Sequence, residues 1–259
     1  SHQIRSLEEE IGGELFERSA RSIDLTELGQ QLYSELNPHL ESIADIMSHY
    51  SGSEQRTRLR VSVQPFFASE LFVPMLGEFT RAHPEIDLQI DTSNEASEQH
   101  PNSTDVSIRL FRSPPTRTKA DLLFPLRLLP VGSPEFRDSM KMLGKSVTSH
   151  FPFIIHESRP RAWRYWSREA GITLPDNMPI IRLDSMIAVA RAAERGLGAA
   201  LVPARLSERW LSNGSLVPLF EHELLSEEGY YLVADDSKAD EAPVAQLRNW
   251  VLNMLAEQA

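Results

Sequence analysis

The chain has 259 residues, of which 24% are charged and 41% hydrophobic, and these values exclude a disordered or fibrous protein. Its length fits two or three compact units, and its net charge of −11 excludes general attraction to nucleic acid, so any DNA contact must be local. The absence of cysteine excludes disulfides and thiolate chemistry. No stretch resembles a bilayer span or a secretory signal, so we predict a cytoplasmic protein without membrane contact.

The first 25 residues combine a helical pattern with a hairpin pattern. Apolar residues recur every three or four positions across residues 4–11, which predicts a helix with one buried face that ends at Gly12. Two short alternating segments, 15–18 and 22–25, predict a small β-hairpin. Because the chain starts with Ser1 inside the helical pattern, we expect that a further segment precedes it.

A long amphipathic helix is predicted from the N-cap residue Thr26 to Tyr50, followed by a polar linker over residues 53–58. Its narrow apolar stripe extends over more than three heptads, a pattern typical of a helix that pairs with another helix. Pro38 is expected to kink this helix. The predicted dimerisation residues are Leu28, Leu32, Leu36, Leu40, Ile43 and Met47.

From Leu59 onward, short strand patterns alternate with helical patterns, as in a mostly parallel α/β sheet. The alternation runs to about residue 130 and then begins again, which predicts two α/β lobes. A strand and a helix within residues 225–259 could return to either lobe, and we assign them to the first.

Motifs typical of enzymes are missing from the sequence. Residues 196–201 approach a dinucleotide-binding fingerprint, but they lie between a predicted helix and a predicted strand, whereas such a loop needs the reverse order. There is no nucleophile elbow, phosphate-binding lysine loop or histidine pair at metal-ligand spacing. We therefore expect no catalytic residue, metal site or cofactor.

Three segments near the N-terminus, QIRSLEEEIG (3–12), LFER (15–18) and LTELG (25–29), resemble the signature of the LysR-type transcription regulators. The similarity continues along the chain in Val73-Pro74, His83-Pro84, Asp105-Val106, Pro130-Val131 and GLGAALVP (196–203). Ile155-His156, the pair Trp163 and Trp166, and Ala170-Gly171 resemble the branch that holds the glycine-cleavage activator and the β-lactamase regulator.

The resemblance implies an α/β protein with two Rossmann-like lobes of the periplasmic-binding-protein type, preceded by a remnant winged helix-turn-helix and a long linker helix. It also implies that the chain is truncated within the winged helix-turn-helix. The implied domains are a partial DNA-binding domain (1–25), a linker and dimerisation helix (26–58), effector lobe I (59–130 plus 225–259) and effector lobe II (131–224).

By the same resemblance, the chain begins within the recognition helix that reads the DNA groove. The implied DNA-binding residues are Ser1, His2, Gln3 and Arg5 on this helix, and Arg18 and Arg21 on the wing. The alternative for each is an exposed, solvated side chain.

A cleft between two α/β lobes is the expected effector site, because open α/β sheets bind ligands at the carboxyl ends of their strands. Strand 60–63 leads into a predicted turn, 64–69, and the next helix offers backbone N–H groups to a carboxylate. Related regulators often carry a hydroxyl residue in this turn. Phe66 and Phe67 stand there instead, which favours an effector with an apolar or ring-shaped part, unless both rings are core; Ser69 is the candidate replacement.

Arg109 is the predicted cation for a carboxylate effector, with an intramolecular salt bridge as the alternative. His156 is predicted to bond the ligand or to serve only the structure, and Trp163 and Trp166 are interpreted as core. The resemblance implies that further residues border the same cleft from both lobes, namely Arg109, Pro130, Val131, Gly132, His156, Ser185 and Val202. With the turn residues Gln64, Pro65, Phe66, Phe67 and Ser69, they form the complete set of predicted effector-binding residues.

The sequence therefore predicts a DNA-binding transcription regulator controlled by a small-molecule effector, with a carboxylate or amino-acid-like compound as the candidate. Promoter DNA and a second or fourth copy of the chain, in a homodimer or homotetramer, are the expected partners, and RNA polymerase is a further candidate. The alternatives are a two-lobed solute-binding protein without DNA function and an enzyme.

Overall fold

The computed structural model describes residues 2–18, 23–50, 56–92 and 104–257. The chain forms two compact units, Ser1–Arg56 and Thr57–Ala259. Among the described residues, none of the helices combines the length and the apolar character needed to cross a bilayer.

The first unit begins with the predicted helix and hairpin. Helix α1 (His2–Ile11) ends at Gly12, whose φ of +81° suits glycine because it has no Cβ. Strands β1 (Phe16–Arg18) and β2 (Ile23–Leu25) then pair antiparallel, as the alternating pattern predicts.

Helix α2 (Glu27–Tyr50) forms the rest of the first unit. The Thr26 hydroxyl accepts a hydrogen bond from the Gly29 N–H at 3.0 Å. Thr26 is therefore the N-cap of α2, as predicted. The same hydroxyl donates to the Glu14 carbonyl oxygen at 2.7 Å, which ties the start of α2 to the chain before β1. The backbone stays helical through position 38, so the predicted kink does not interrupt α2.

The second unit is an α/β structure in which the described strands and helices follow one another along the chain. In order, they are β3 (Thr57–Val63), α3 (Pro65–Phe67), a π-helical turn (Ala68–Phe72), α4 (Val73–Ala82), β4 (Ile86–Asp91), β5 (Val106–Phe111), β6 (Thr118–Gly132), α5 (Pro134–Ser139), β7 (Met142–Leu143), β8 (Ser146–Val147), β9 (Phe153–His156), α6 (Ala162–Ala170), β10 (Ile180–Leu183), α7 (Met186–Glu194), β11 (Ala199–Pro203), a 3-10 turn (Arg205–Ser207), α8 (Glu208–Ser212), β12 (Val217–Pro218), β13 (Leu224–Asp235) and α9 (Ala242–Glu257).

Nine strands of the described chain form one sheet in the order β10-β9-β11-β6-β13-β5-β3-β4, with β12 paired to β6 outside this path. Strands β3, β4 and β5 are parallel at one end of the sheet, and β9, β10 and β11 are parallel at the other. The long antiparallel pair β6 and β13 joins the two ends. We call the end with β3–β5 lobe I and the end with β9–β11 lobe II; the lobe boundaries at residues 130 and 224 are our interpretation of this topology.

The helix predicted to begin at Glu70 begins five residues earlier. Pro65 occupies the first helical position, where its missing N–H costs no hydrogen bond, and α3, the π-helical turn and α4 continue without a break to Ala82. Burial of Phe66 and Phe67 explains the early start, because packing outweighs the modest helix propensity of aromatic residues. The predicted turn at 64–69 is therefore wrong. The polar segment 92–103 is expected from the sequence to be a loop or a short irregular helix, and its residues 93–103 lie outside the described residues.

Strand β6 begins at Thr118, well before Leu128, because its earlier half pairs with β13 although several of its side chains are partly exposed. The glycine-containing segment 196–203 is confirmed as a helix end followed by a strand. Gly196 follows α7 with a φ of +71°, and all five residues of β11 are buried. Trp163 and Trp166 are buried in the core of lobe II, as interpreted from the sequence.

Candidate functional site

A cleft lies between the two lobes at the carboxyl ends of β3 and β5 in lobe I and of β9, β10 and β11 in lobe II. Its free volume is about 50 Å³. The lining residues are Gln64, Pro65, Phe66, Leu110, Leu126, Leu128, His156, Ser158, Arg159, Ser185, Met186, Ile187, Pro203 and Tyr230.

Two helices begin at this cleft, one from each lobe. Gln64 precedes α3 and Ser185 precedes α7, and neither side chain caps its helix. The first-turn N–H groups of a helix have no acceptor within the helix and carry the positive end of its dipole. Helices α3 and α7 also contact each other, so the two positive ends lie on one cavity.

Two cleft residues bring polar groups from lobe I and lobe II. The Gln64 side-chain oxygen is buried, and no group in the described part of the chain donates a hydrogen bond to it. His156 ends β9, and its Nδ1 accepts a hydrogen bond from the Ser158 backbone N–H at 3.2 Å. Burial lowers the pKa of His156 below its ordinary value of 6.5, and the Arg159 guanidinium lowers it further against an opposing effect of Asp184. The lowered pKa favours the neutral imidazole, and because Nδ1 accepts the Ser158 N–H bond, the ring proton is assigned to Nε2.

Arg159 supplies a permanent cation at the cleft. Its Nη2 donates to a carboxylate oxygen of Glu228, and its Nη1 donates to the Ser158 hydroxyl at 3.5 Å. The Ser226 hydroxyl donates to the same Glu228 oxygen at 3.3 Å. Burial raises the pKa of Tyr230 far above its ordinary value of 10, so the phenol beside this ion pair stays neutral.

Five of the predicted effector residues line the cleft: Gln64, Pro65, Phe66, His156 and Ser185. They come from both lobes and from segments far apart in sequence. Sequence reasoning missed Ser158 and Arg159, although both follow closely after strand β9. The rule that ligands bind at the carboxyl ends of strands could have found them.

Phe67 and Ser69 do not line the cleft. The Phe67 ring is fully buried and packs against Phe124 and Tyr230, with ring centroids 6.0 and 5.3 Å away. The Ser69 hydroxyl donates to the Glu70 carboxylate at 2.9 Å. The alternative that the phenylalanines serve as core describes both rings, since both are buried in the hydrophobic core. Phe66 in addition lines the cleft and stacks on Trp210 at 5.8 Å.

Arg109 also lies away from the cleft lining. Its side chain is only 6% exposed, and its Nη2 donates to the Ser62 hydroxyl at 2.5 Å. Alternate residues of a strand point to opposite faces, and the next residue, Leu110, is the one that lines the cleft. This placement does not support Arg109 as the cation for an effector.

The remaining predicted effector residues are in the sheet interior. Pro130, Val131 and Gly132 lie in β6, where they pair with β11 and β12, and Val202 is buried in β11. Their neighbours Leu128 and Pro203 line the cleft instead. Val131 and Val202 alternate with cleft-lining positions and so lie on the other face of their strands, whereas Pro130 and Gly132 share the face of Leu128 but lie beyond the cleft lining.

The predicted DNA-binding residues lie in the first unit. Gln3 and Arg5 are exposed on α1. His2 and Arg18 are described in their backbone only, within α1 and β1, and Ser1 and Arg21 lie outside the described residues.

The apolar stripe of α2 is exposed within the chain. Met47 is 69% exposed and Leu40 is 61% exposed, and Leu28, Leu36 and Ile43 are also exposed. Leu32 is half-buried. Among the described side chains of α2, these residues therefore form an exposed apolar stripe along the helix.

Two protein-family models match the chain. The LysR substrate binding domain matches residues 52–256, and the bacterial regulatory helix-turn-helix protein of the lysR family matches residues 1–30. The glycine cleavage system transcriptional activator of Escherichia coli K12 is 30% identical over 260 residues, which covers 100% of this chain and 85% of that protein. The transcriptional activator AmpR of Pseudomonas aeruginosa is also 30% identical and covers 100% of this chain and 86% of its own length.

Solved structures agree in fold with this chain. The AmpR effector binding domain of Citrobacter freundii has a TM-score of 0.67 at 23% identity, covering 78% of this chain and 99% of that one. The effector domain of AmpR from P. aeruginosa has a TM-score of 0.66 at 27% identity, covering 79% and 97%. Full-length LysG of Corynebacterium glutamicum has a TM-score of 0.61 at 19% identity, covering 99% and 87%.

These relatives are transcription regulators and not enzymes, which agrees with the lack of catalytic motifs in the sequence. They also favour the regulator over a solute-binding protein. The chain belongs to the LysR family of DNA-binding transcription regulators, with helix-turn-helix residues at 1–30 and an effector-binding domain at 52–256.

Proposed function

We propose that the cleft binds a small carboxylate effector of amino-acid-like chemistry and that this binding controls the regulator. The observation that carries the proposal is that α3 and α7, one from each lobe, begin at the same cleft without a side-chain cap and beside Arg159. The two helix N-termini favour an anion, and the Arg159 guanidinium, although paired with Glu228, has further N–H groups that can donate to it. A carboxylate held between them would bridge the two lobes.

Two further groups define the polar half of the effector. The Gln64 oxygen can accept a hydrogen bond from an ammonium, amide or hydroxyl group, and the His156 Nε2–H can donate one. A molecule with a carboxylate and a nearby donor satisfies both. The LysG structure was solved with its bound effector arginine, so amino-acid chemistry is used by a protein of this fold.

The apolar half of the effector would contact Phe66 and the leucines of β5 and β6. The free volume of about 50 Å³ is far below the roughly 300–1,000 Å³ of ordinary ligand pockets. Binding therefore requires the lobes to separate, and the effector would shift the balance between closed and open arrangements.

A binding experiment with the full chain tests this proposal. A panel of amino acids and small carboxylates is screened by thermal shift, and stabilising compounds are titrated by calorimetry. Gln64→Leu should weaken binding about tenfold or more, because it removes an acceptor from a buried hydrogen bond. Gln89→Leu, which changes an exposed glutamine on β4, is the control. A stabilising compound whose affinity is equal in both variants would exclude the cleft as its site.

We also propose that α1 and the wing contact promoter DNA and that the exposed stripe of α2 pairs with α2 of a second copy. Exposed Gln3 and Arg5 support the first proposal, and the apolar face from Leu28 to Met47 supports the second. Contact with RNA polymerase, a tetrameric state and a cytoplasmic location remain predictions from the family resemblance.

A further inference from the structure

A second, larger pocket adjoins the effector cleft. It has a volume of about 550 Å³ and lies between α6 and the first residues of β13. Leu128, Ser158 and Arg159 line both cavities, so the second pocket begins where the cleft ends. We call it the outer pocket.

Arginines outnumber glutamates in the lining of the outer pocket by four to three. Four of the ten residues from 159 to 168 are arginine, in a chain whose net charge is −11. Three of them, Arg159, Arg161 and Arg168, line the pocket together with Arg112 of the neighbouring loop.

Two of the three carboxylates of the pocket wall are paired with arginines. Glu228 bonds Arg159, and Glu227 lies 3.7 Å from Arg112. Glu169 lies 4.0 Å from His222, which carries a charge only when its ring is protonated. Within the described part of the chain, Arg161 and Arg168 have no carboxylate partner. Arg161 and Arg168 therefore face a pocket in which Glu169 is the one lining carboxylate, among the described residues, that no arginine pairs.

The start of α6 carries positive charge, whereas the N-terminus of a helix favours negative charge. Arg161 is the N-cap residue, Arg164 follows within the first turn, and no acidic residue lies there. Cations at the positive end of a helix dipole repel it, so this arrangement is unfavourable unless an anion is present. The Arg168 guanidinium lies 5.6 Å from the centre of the Tyr165 ring, which gives the pocket wall a cation against an aromatic surface.

We propose that the outer pocket is a second ligand site, separate from the effector cleft, that binds a small molecule bearing phosphate or carboxylate groups. Arg161 and Arg168 would hold the anion, because the planar guanidinium can donate two parallel hydrogen bonds to either group. Its concave shape and its volume suit a small molecule. The proposal does not depend on the nature of the effector in the inner cleft.

Calorimetry on the full chain tests the outer pocket, with inorganic pyrophosphate as the phosphate ligand and citrate as the carboxylate ligand at constant ionic strength. We expect saturable binding of at least one of them. The double variant Arg161→Gln/Arg168→Gln should weaken it at least tenfold. The control Arg182→Gln/Arg209→Gln removes the same charge from exposed arginines on β10 and α8 that lie outside the pocket, and it should change the affinity less than twofold.

The possible outcomes distinguish binding in the outer pocket from binding in the cleft and from non-specific attraction of anions to positive charge. Loss of binding in Gln64→Leu with no loss in Arg161→Gln/Arg168→Gln would place the anion in the cleft and overturn the proposal. Equal losses in the two arginine pairs, or no saturable binding of either anion, would overturn it as well. Unchanged thermal melting of the variants checks that they fold, and Arg168→Lys should retain part of the affinity since it keeps the charge.

Discussion

The ion pair of Arg159 with Glu228 should stabilise the second unit measurably. Exposed ion pairs contribute about 0–1 kcal/mol, whereas breaking a fully buried pair costs about 3–5 kcal/mol. The Arg159 and Glu228 side chains are 19% and 28% exposed, which places the pair between these limits. We therefore expect Glu228→Gln to lower the free energy of unfolding by about 1–3 kcal/mol.

A double-mutant cycle with Glu228→Gln and Arg159→Gln isolates the contribution of the pair. Urea unfolding followed by tryptophan fluorescence is the assay, because all four tryptophans lie in the second unit. The double variant should lose little more stability than the worse single variant. Additive losses, within about 0.5 kcal/mol, would show that the two side chains do not stabilise the fold through each other and would refute this reasoning.

Three further predictions concern α2 and the cleft. Thr26→Ala removes the N-cap bond and should destabilise the first unit by about 1 kcal/mol in circular-dichroism melts, whereas Thr26→Ser should not. Leu40→Glu should weaken self-association in analytical ultracentrifugation, while Glu35→Gln, on an exposed residue of the same helix, should leave it intact. Because the folded pKa of His156 is lowered, the unfolded chain takes up its proton first as pH falls below 6.5, so stability is lost from that pH downward. His156→Asn should lose less stability than the wild type between pH 7 and 5 in urea titrations.

The helices and strands whose apolar residues recur at a regular spacing could be predicted from the sequence. The spacing of apolar residues predicts α1 and α2, and strand patterns separated by helices predict the two α/β lobes. Short helices such as α5 and α8 were missed, because five or six residues are too few to show the repeating spacing of apolar residues that marks a helix. The start of α3 was missed because burial of two aromatic rings, and not propensity, determines it.

The cleft could be predicted only in part, for a geometric reason. Residues next to strand ends, such as Gln64 and His156, were found because their position in the chain fixes their position in the sheet. Arg109 and Val202 lie within strands, where the pairing register decides which face a side chain occupies. The sequence of a single strand does not show its register. Nor does the sequence show that Arg159 contacts Glu228, which lies 69 residues away.

The antiparallel pair β6 and β13 restricts how the two lobes of the effector domain can move. Both strands run through the junction of the lobes, so one lobe cannot rotate against the other without twisting both of them. Leu126 and Leu128 of β6 line the cleft, so an effector would act close to the axis about which the lobes rotate. A small rotation about this axis would displace each residue in proportion to its distance from the axis. The outermost strands, β4 and β10, would then travel farthest, and a partner that touches them would detect the effector most readily.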